Sequence, residues 1–185
     1  MHINSKHSFT TQRLLIRPLT EQDKALYFSL YCDEKIMLYI GKAFSHQEAE
    51  QAFSKTLKAM QKDKPKVITW AIVTLDNNEC IGIQALNWQT ARFIPKPITA
   101  NINQAEIGIM LTSKAHGQRF PEESLNALID YAFNELELDK INVFYAKENL
   151  RSKRVFDKLG FIFDIEQQPE NTNDCYAYLN KEKCC

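Results

Sequence analysis

The sequence lacks the features that mark membrane-spanning and nucleic-acid-binding proteins. It has no apolar run of the ~18 residues that a membrane helix needs, so we expect no membrane partner. Its 23 basic residues are balanced by 23 acidic ones, whereas a protein that neutralises phosphates usually carries a basic surplus. We therefore expect no nucleic-acid partner. The N-terminal stretch is polar and has no apolar signal core, which predicts a cytoplasmic location.

The chain also lacks a disulfide framework, a metal-binding pattern and any repeat. Its five cysteines are odd in number and have no paired metal-ligand spacing, so we expect free thiols and no metal. No low-complexity block or long linker interrupts the 185 residues, a length that fits one domain. The sequence predicts a single domain over 1–185 with flexible ends at 1–10 and 181–185. It leaves monomer and homodimer open.

Hydrophobic spacing predicts about seven strands and about four helices. Their order predicts a mixed, mostly antiparallel sheet flanked by helices, an α/β (α+β) fold without repeated βαβ units. The predicted strands are Arg13–Leu19, Thr69–Leu75, Cys80–Leu86, Ala105–Leu111, Ile141–Ala146, Phe161–Glu166 and Cys175–Leu179. The predicted helices are Glu21–Tyr31, His46–Met60, one from near Pro121 to Leu136, and Leu150–Leu159, with a loop at Arg92–Asn103.

The segment HGQRFPEE, residues 116–123, has the composition of an anion-binding loop. A predicted strand ends at Leu111, a turn passes through Gly117, and a helix begins near Pro121, since proline favours the first helical position. The free N–H groups and the dipole of a helix N-terminus suit a pyrophosphate. The alternative is an ordinary strand-to-helix connection, in which Glu122 and Glu123 only complement the helix dipole.

Three segments in this order resemble the GNAT acetyltransferases: AEIGIML, HGQRFPEES and ENLRSKRVFDKLGF. Within that family the chain resembles the branch of the ribosomal-protein N-terminal acetyltransferases RimJ and RimL, and the architecture agrees from TQRLLIRPL onward. The resemblance implies the GNAT fold, in which the sheet splays between the Ala105–Leu111 and Ile141–Ala146 strands. It also implies an N-acetyltransferase with acetyl-CoA as cosubstrate.

The resemblance places the cofactor on one strand, the loop and the last helix. The family loop has a pattern close to Arg-x-x-Gly-x-Gly; here Gly117 is kept, Arg119 stands where a second glycine is common, and His116 where a basic residue is common. Arg119 either adds a cation to the phosphates or blocks close backbone approach. The implied cofactor-binding residues are Ile107, Gly108, Ile109, His116, Gly117, Gln118, Arg119, Phe120, Pro121, Glu122, Asn149, Ser152 and Phe156.

The start of the last helix has two compatible interpretations. In the family the residue matching Asn149 hydrogen-bonds the pantetheine arm, and Asn149 also fits an N-cap. Many members carry a tyrosine seven residues later that protonates the departing thiolate. Here that residue is Phe156, which cannot donate a proton and is either core or a wall against the cofactor. Ser152 or water would then supply the proton.

Glu106 is the candidate general base, because the matching family strand often carries an acidic residue that relays the ammonium proton through water. A solvent-facing carboxylate in a salt bridge is the alternative, and His116 is a weaker rival. Backbone N–H groups of the Ile107–Ile109 segment would stabilise the oxyanion. No cysteine lies in a motif beside a histidine, so we expect direct attack without an acyl-enzyme.

The acceptor is either a protein N-terminal α-amine or a small-molecule amine. Family architecture points to Tyr31–Phe44 and Trp88–Asn103, where Tyr39, Trp88 and Phe93 line a pocket or simply pack. Two other functions stay open: a non-catalytic acetyl-CoA-binding regulator of the same fold, and a nucleotide-binding protein. Against the second, the chain lacks both Gly-x-Gly-x-x-Gly and Gly-x-x-x-x-Gly-Lys-Ser/Thr.

Overall fold

The computed structural model describes residues 7–89, 102–115, 117–164 and 173–181, which fold around one mixed sheet. Its strands are β1 (Phe9–Thr10), β2 (Leu14–Pro18), β3 (Val67–Thr74), β4 (Cys80–Asn87), β5 (Gln104–Leu111), β6 (Lys140–Ala146), β7 (Ile162–Phe163) and β8 (Asp174–Asn180). The α-helices within these ranges are α1 (Lys24–Tyr31), α2 (Glu34–Met37), α3 (His46–Met60), α4 (Phe120–Asn134) and α5 (Leu150–Lys158).

The eight strands lie in the order β1-β2-β3-β4-β5-β6-β8-β7. Neighbouring strands are antiparallel except β5 and β6, which are parallel. Helix α4 covers the sheet face that carries Trp70 and Gln84, since Tyr131 meets the Trp70 ring and Ser124 bonds Gln84. Ala71 on the opposite face is also fully buried. The core therefore lies on both faces of β3 and β4, and the sheet is flanked by helices as expected.

Local sequence signals explain the best-predicted helix, α3. Ser45 caps it in a capping box with Glu48, whose side chain returns to the Ser45 backbone N–H at 2.7 Å. Ala49, Phe53 and Leu57 recur at helical spacing and are buried. Both predicted bounds, His46 and Met60, are confirmed.

Phe9–Thr10 forms a strand that was not predicted and pairs with β2, so the sheet has eight strands where about seven were expected. Two residues are too few to show an alternating pattern, so no local signal marked this strand. Tertiary contacts hold the segment instead: the Phe9 ring stacks on Tyr131 at 4.7 Å, and Trp70 Nε1 donates to the His7 carbonyl at 2.7 Å. Lys181, expected in a flexible end, donates its N–H to the Asp139 carbonyl at 2.9 Å.

Other predicted bounds shift by a few residues. The first helix is divided into a 3-10 turn at Glu21–Asp23 and α1, and the one-turn α2 was not predicted. Helix α4 ends at Asn134, so Leu136 lies beyond it. The strand predicted from Phe161 is limited to β7 in the described residues. Most of the predicted loop, residues 92–101, and the end of that strand, residues 165–166, lie outside the described ranges.

Two further findings concern the described ranges alone. None of their helices has the length and apolar character needed to cross a membrane. Cys32, Cys80 and Cys175 are free thiols, as expected, and Cys184–Cys185 lie outside the described residues.

Candidate active site

The parallel strands β5 and β6 are paired over only part of their length. Their last register pair is Glu106 opposite Asn142, although the strands continue to Leu111 and Ala146. In the described residues the rest of β5 is therefore paired only with β4. A strand edge released in this way presents N–H and C=O groups that can hydrogen-bond an extended ligand. The predicted splay of the sheet is confirmed.

The side chains of β5 alternate between the two faces of the sheet. Ile107 is 1% exposed and belongs to the core, and Ile109 packs against it. Gly108 is exposed, and a Cβ added there would meet no heavy atom within 4 Å. Glu106 lies on the same face as Gly108 because side chains alternate along a strand. The side chains of Ile107 and Ile109 therefore serve packing, and their backbone is the part available to a ligand.

The loop after β5 reaches helix α4 through two left-handed residues. Gly117 has φ +78° and Arg119 has φ +60°; His116 lies outside the described residues. An L-residue pays about 1–2 kcal/mol in this conformation, which explains physically why glycine suits the position of Arg119. Gly117, Gln118 and Arg119 are all exposed. The loop thus keeps a glycine-like backbone path despite the arginine.

The first turn of α4 carries the remaining loop residues. Phe120 begins the helix and is 6% exposed, and Pro121 follows it, one residue from the predicted start. Glu122 accepts from Lys158 Nζ of α5 at 3.0 Å. Partial burial alone would raise the pKa of Glu122. The hydrogen bond from Lys158, the bond from the residue's own backbone N–H and the charge of Lys158 outweigh it, so the pKa lies below its ordinary value. Glu122 is therefore a carboxylate that joins the two helices.

The start of α5 confirms the capping role of Asn149. Its Oδ1 accepts from the Ser152 backbone N–H at 3.1 Å, and Ser152 is half-buried. Phe156 is 3% exposed and meets the Phe161 ring edge-on at 5.1 Å. Of the two roles predicted for Phe156, the structure shows the first: its ring is part of the core.

A hydrogen-bond chain that was not predicted from the sequence crosses the end of the splay where β5 and β6 are still paired. The Tyr176 hydroxyl donates to Asn142 Oδ1 at 2.8 Å, and Asn142 Nδ2 donates to Gln104 Oε1 at 3.1 Å. Burial, with the neighbouring Tyr178 and Asp164, raises the pKa of Tyr176 to about 12, so its hydroxyl stays protonated. An asparagine between the apolar residues Ile141 and Val143 of the strand KINVFYA was the available signal.

The predicted acceptor region contains both packing and exposed aromatic residues. Tyr31 stacks between Tyr27 and Phe44, with ring centroids at 4.2 and 5.3 Å. Tyr39 is 43% exposed in the turn after α2. Trp88 packs against the core, whereas Phe93 lies outside the described residues.

Comparison with known proteins identifies the family. The model of the "Acetyltransferase (GNAT) domain" family matches residues 13–162, most of the chain. The protein therefore belongs to the GNAT acetyltransferases and is an acyltransferase. It is 27% identical over 172 residues to a Bacillus subtilis (strain 168) protein described as the uncharacterized N-acetyltransferase YoaA, covering 92% of this chain and 88% of that one.

Solved structures show the same fold. An acetyltransferase from Agrobacterium tumefaciens str. C58 superposes with a TM-score of 0.77 at 21% identity, covering 96% of each chain. Spermidine N-acetyltransferase from Vibrio cholerae, solved with CoA and spermine, gives 0.71 at 20% identity and covers 92% of this chain and 96% of its own. The ribosomal-protein-S5-alanine acetyltransferase of Vibrio fischeri gives 0.69 at 16% identity, with 94% and 96% covered. These likenesses establish the fold and do not select the RimJ/RimL branch.

Proposed function

We propose that this acyltransferase moves an acetyl group from acetyl-CoA to a primary amine, by direct attack within a ternary complex in the cytoplasm. The observation that carries the proposal is the end of β5–β6 pairing at Glu106 and Asn142. It leaves one edge of β5 for the pantetheine arm, and the loop that follows β5 leads straight to the N-terminus of α4.

The residues fit acetyl-CoA in three places. Open space beside Gly108 and Gly117, where an added Cβ would meet nothing within 4 Å, leaves room for an arm and a diphosphate. The first turn of α4 offers N–H groups and a positive dipole end to the diphosphate. Asn149 uses Oδ1 as the cap, which leaves its Nδ2 to donate to the arm. The exposed guanidinium of Arg119 supports an added cation at the phosphates.

The proposed chemistry forms a C–N bond and breaks the thioester C–S bond. Glu106, at the last position of β5 that pairs with β6, takes the ammonium proton through water, and backbone N–H groups of Ile107–Ile109 stabilise the oxyanion. The thiolate receives a proton from Ser152 or water. A positioned base contributes ~10²–10⁴-fold, whereas holding amine and thioester together is worth ~10⁵–10⁸ M. Loss of the family tyrosine at Phe156 is therefore compatible with turnover.

The proposed acceptors are a protein N-terminal α-amine, as the RimJ/RimL resemblance suggests, or a small-molecule amine. Structural neighbours named for a ribosomal protein and for spermidine support both classes. The competing function is a non-catalytic acetyl-CoA-binding regulator of the same fold. The burial of Phe156 in place of a tyrosine favours it, and turnover separates the two.

Thermal unfolding with and without acetyl-CoA tests the cofactor, with ATP and NAD as controls. A ligand at ~100 times its Kd stabilises the fold by about 2.7 kcal/mol, a rise in Tm of roughly 5–10 °C for this size. We expect the rise with acetyl-CoA alone. No rise would contradict the proposal.

Release of free thiol with a panel of amines then tests turnover. Glu106→Gln is expected to lower kcat by ~10²-fold or more because a positioned base is lost. Asp157→Asn, at an exposed carboxylate of α5, is the control and should leave kcat unchanged. Binding of acetyl-CoA without thiol release by any amine would support the regulator instead.

A further inference from the structure

Arg13, the residue before β2, contacts the loop and first turn of α4 with several groups at once. Its Nε donates to Glu123 Oε2 at 2.7 Å, and its Nη2 donates to the Gln118 carbonyl at 3.0 Å. The guanidinium also lies over the Phe120 ring, 4.5 Å from the centroid. The arginine of the TQRLLIRPL segment thus joins the start of β2 to the loop proposed to bind the diphosphate.

Glu123 is held firmly enough to serve as the anchor for Arg13. Its Oε1 accepts from Thr11 Oγ1 at 2.6 Å and from the Arg13 backbone N–H at 3.0 Å. Burial alone would raise the pKa of Glu123, but the hydrogen bonds from Thr11 and Arg13 outweigh it, and the pKa lies below its ordinary value. The carboxylate is therefore charged at neutral pH and fixes the guanidinium.

The bond from Arg13 to the Gln118 carbonyl determines how the next peptide points. In a planar trans peptide the C=O and the following N–H point in opposite directions. With the Gln118 carbonyl held by Arg13, the Arg119 N–H is directed away from Arg13, toward the exposed side of the loop. Arg119 itself has φ +60°, a conformation that persists only where surrounding contacts hold it. Arg13 supplies one such contact.

We infer that Arg13 is a positioning residue for acetyl-CoA. Arg13 fixes the Gln118–Arg119 peptide so that the Arg119 N–H faces the diphosphate site before the cofactor binds. Two of its donors, Nε and Nη2, are spent inside the protein, and its charge is paired with Glu123. Arg13 therefore acts through the loop rather than as a phosphate ligand. The inference rests on the proposed function, which assigns the loop to the cofactor. A preorganised loop saves the ordering that binding would otherwise require.

Binding calorimetry on the full chain, at a temperature well below the Tm of every variant, tests the inference. The probes are acetyl-CoA, 3′-phospho-ADP, which carries the phosphates without the arm, and S-acetyl-pantetheine, which carries the arm without the phosphates. We expect Arg13→Ala and Arg13→Lys each to weaken acetyl-CoA and 3′-phospho-ADP by the same factor, roughly tenfold. Binding of S-acetyl-pantetheine should not change. Lysine fails because it keeps the charge but lacks the planar fork.

Lys24→Ala is the matched control, since it removes a cation paired with Glu50 on α3 and should leave all three Kd values unchanged. A lower Tm with unchanged Kd in Arg13→Ala would reduce Arg13 to a structural role and overturn the inference. Unchanged affinity of Arg13→Lys for acetyl-CoA would show that the charge of residue 13 acts directly, and would overturn the inference. An equal loss of affinity for S-acetyl-pantetheine would also overturn it. If the unsubstituted protein bound neither acetyl-CoA nor 3′-phospho-ADP, the proposed function itself would fail, and the inference with it.

Discussion

Replacing Arg119 by alanine and by glycine separates the cost of its backbone from the contribution of its charge. Both substitutions remove the guanidinium, but only glycine removes the Cβ that makes φ +60° unfavourable. The left-handed conformation costs an L-residue about 1–2 kcal/mol, and glycine avoids this cost. Glycine also increases the conformational entropy of the unfolded chain, which offsets ~0.5–1 kcal/mol of the gain. We expect the glycine variant to be the more stable by about 0.5–1 kcal/mol, a Tm difference of roughly 1–4 °C.

Urea unfolding of both variants, checked for equal m-values, measures this difference. Gln118 provides the control, because it is not among the residues with positive φ. There alanine should be more stable than glycine by ~0.4–1 kcal/mol, so the sign reverses between adjacent residues. An alanine variant at 119 as stable as the glycine variant would refute the left-handed loop, and with it the geometry proposed for the diphosphate.

The same two variants decide between the alternatives that the sequence left open for Arg119. If the guanidinium contributes to phosphate binding, both variants bind acetyl-CoA more weakly, and the salt dependence of binding falls because one cation is lost. If the side chain instead obstructs the backbone, the glycine variant binds more tightly than the unsubstituted protein. The exposed side chain of Arg119 leads us to expect the first result.

Two further predictions concern buried polar groups. Ser124 Oγ donates to Gln84 Oε1 at 2.6 Å, while Gln84 Nε2 has no partner in the described residues. Ser124→Ala leaves the buried Gln84 Oε1 without this donor, so it should lower the free energy of unfolding by about 1–3 kcal/mol, measured in urea. Adding Gln84→Leu removes the unpaired amide and should recover part of that loss. Additive losses would contradict this. Burial alone would raise the pKa of Asp23. The hydrogen bonds that Asp23 accepts from Arg17 and Thr20 have the larger, opposite effect, so its pKa is lower in the folded protein than in the unfolded chain. The charged Asp23 therefore stabilises the fold at neutral pH, and this stabilisation is lost as the pH falls through the folded pKa. The difference in free energy of unfolding between the unsubstituted protein and Asp23→Asn should decrease below about pH 4. A difference that stays constant with pH would refute this prediction.

Elements whose signals are local were predictable. Helix α3 was placed with both bounds correct, because its capping box and apolar spacing lie within the segment itself. The last helix was predicted to end at Leu159 and ends at Lys158, just before Gly160, which has φ +80°. Strand β1 was missed because its evidence is the contact of Phe9 with Tyr131, more than 100 residues away in the chain.

Local sequence patterns were enough to predict the segments of the proposed site: the strand with Glu106, the glycine loop before α4 and the capped start of α5 at Asn149. How these segments are arranged in space depends on the tertiary structure. It decided where the pairing of β5 and β6 stops, and that Arg13 holds the loop through Gln118, 105 residues along the chain. Local patterns encode caps and periodicity. Contacts between distant segments depend on how whole elements pack, and no single stretch of sequence carries that information.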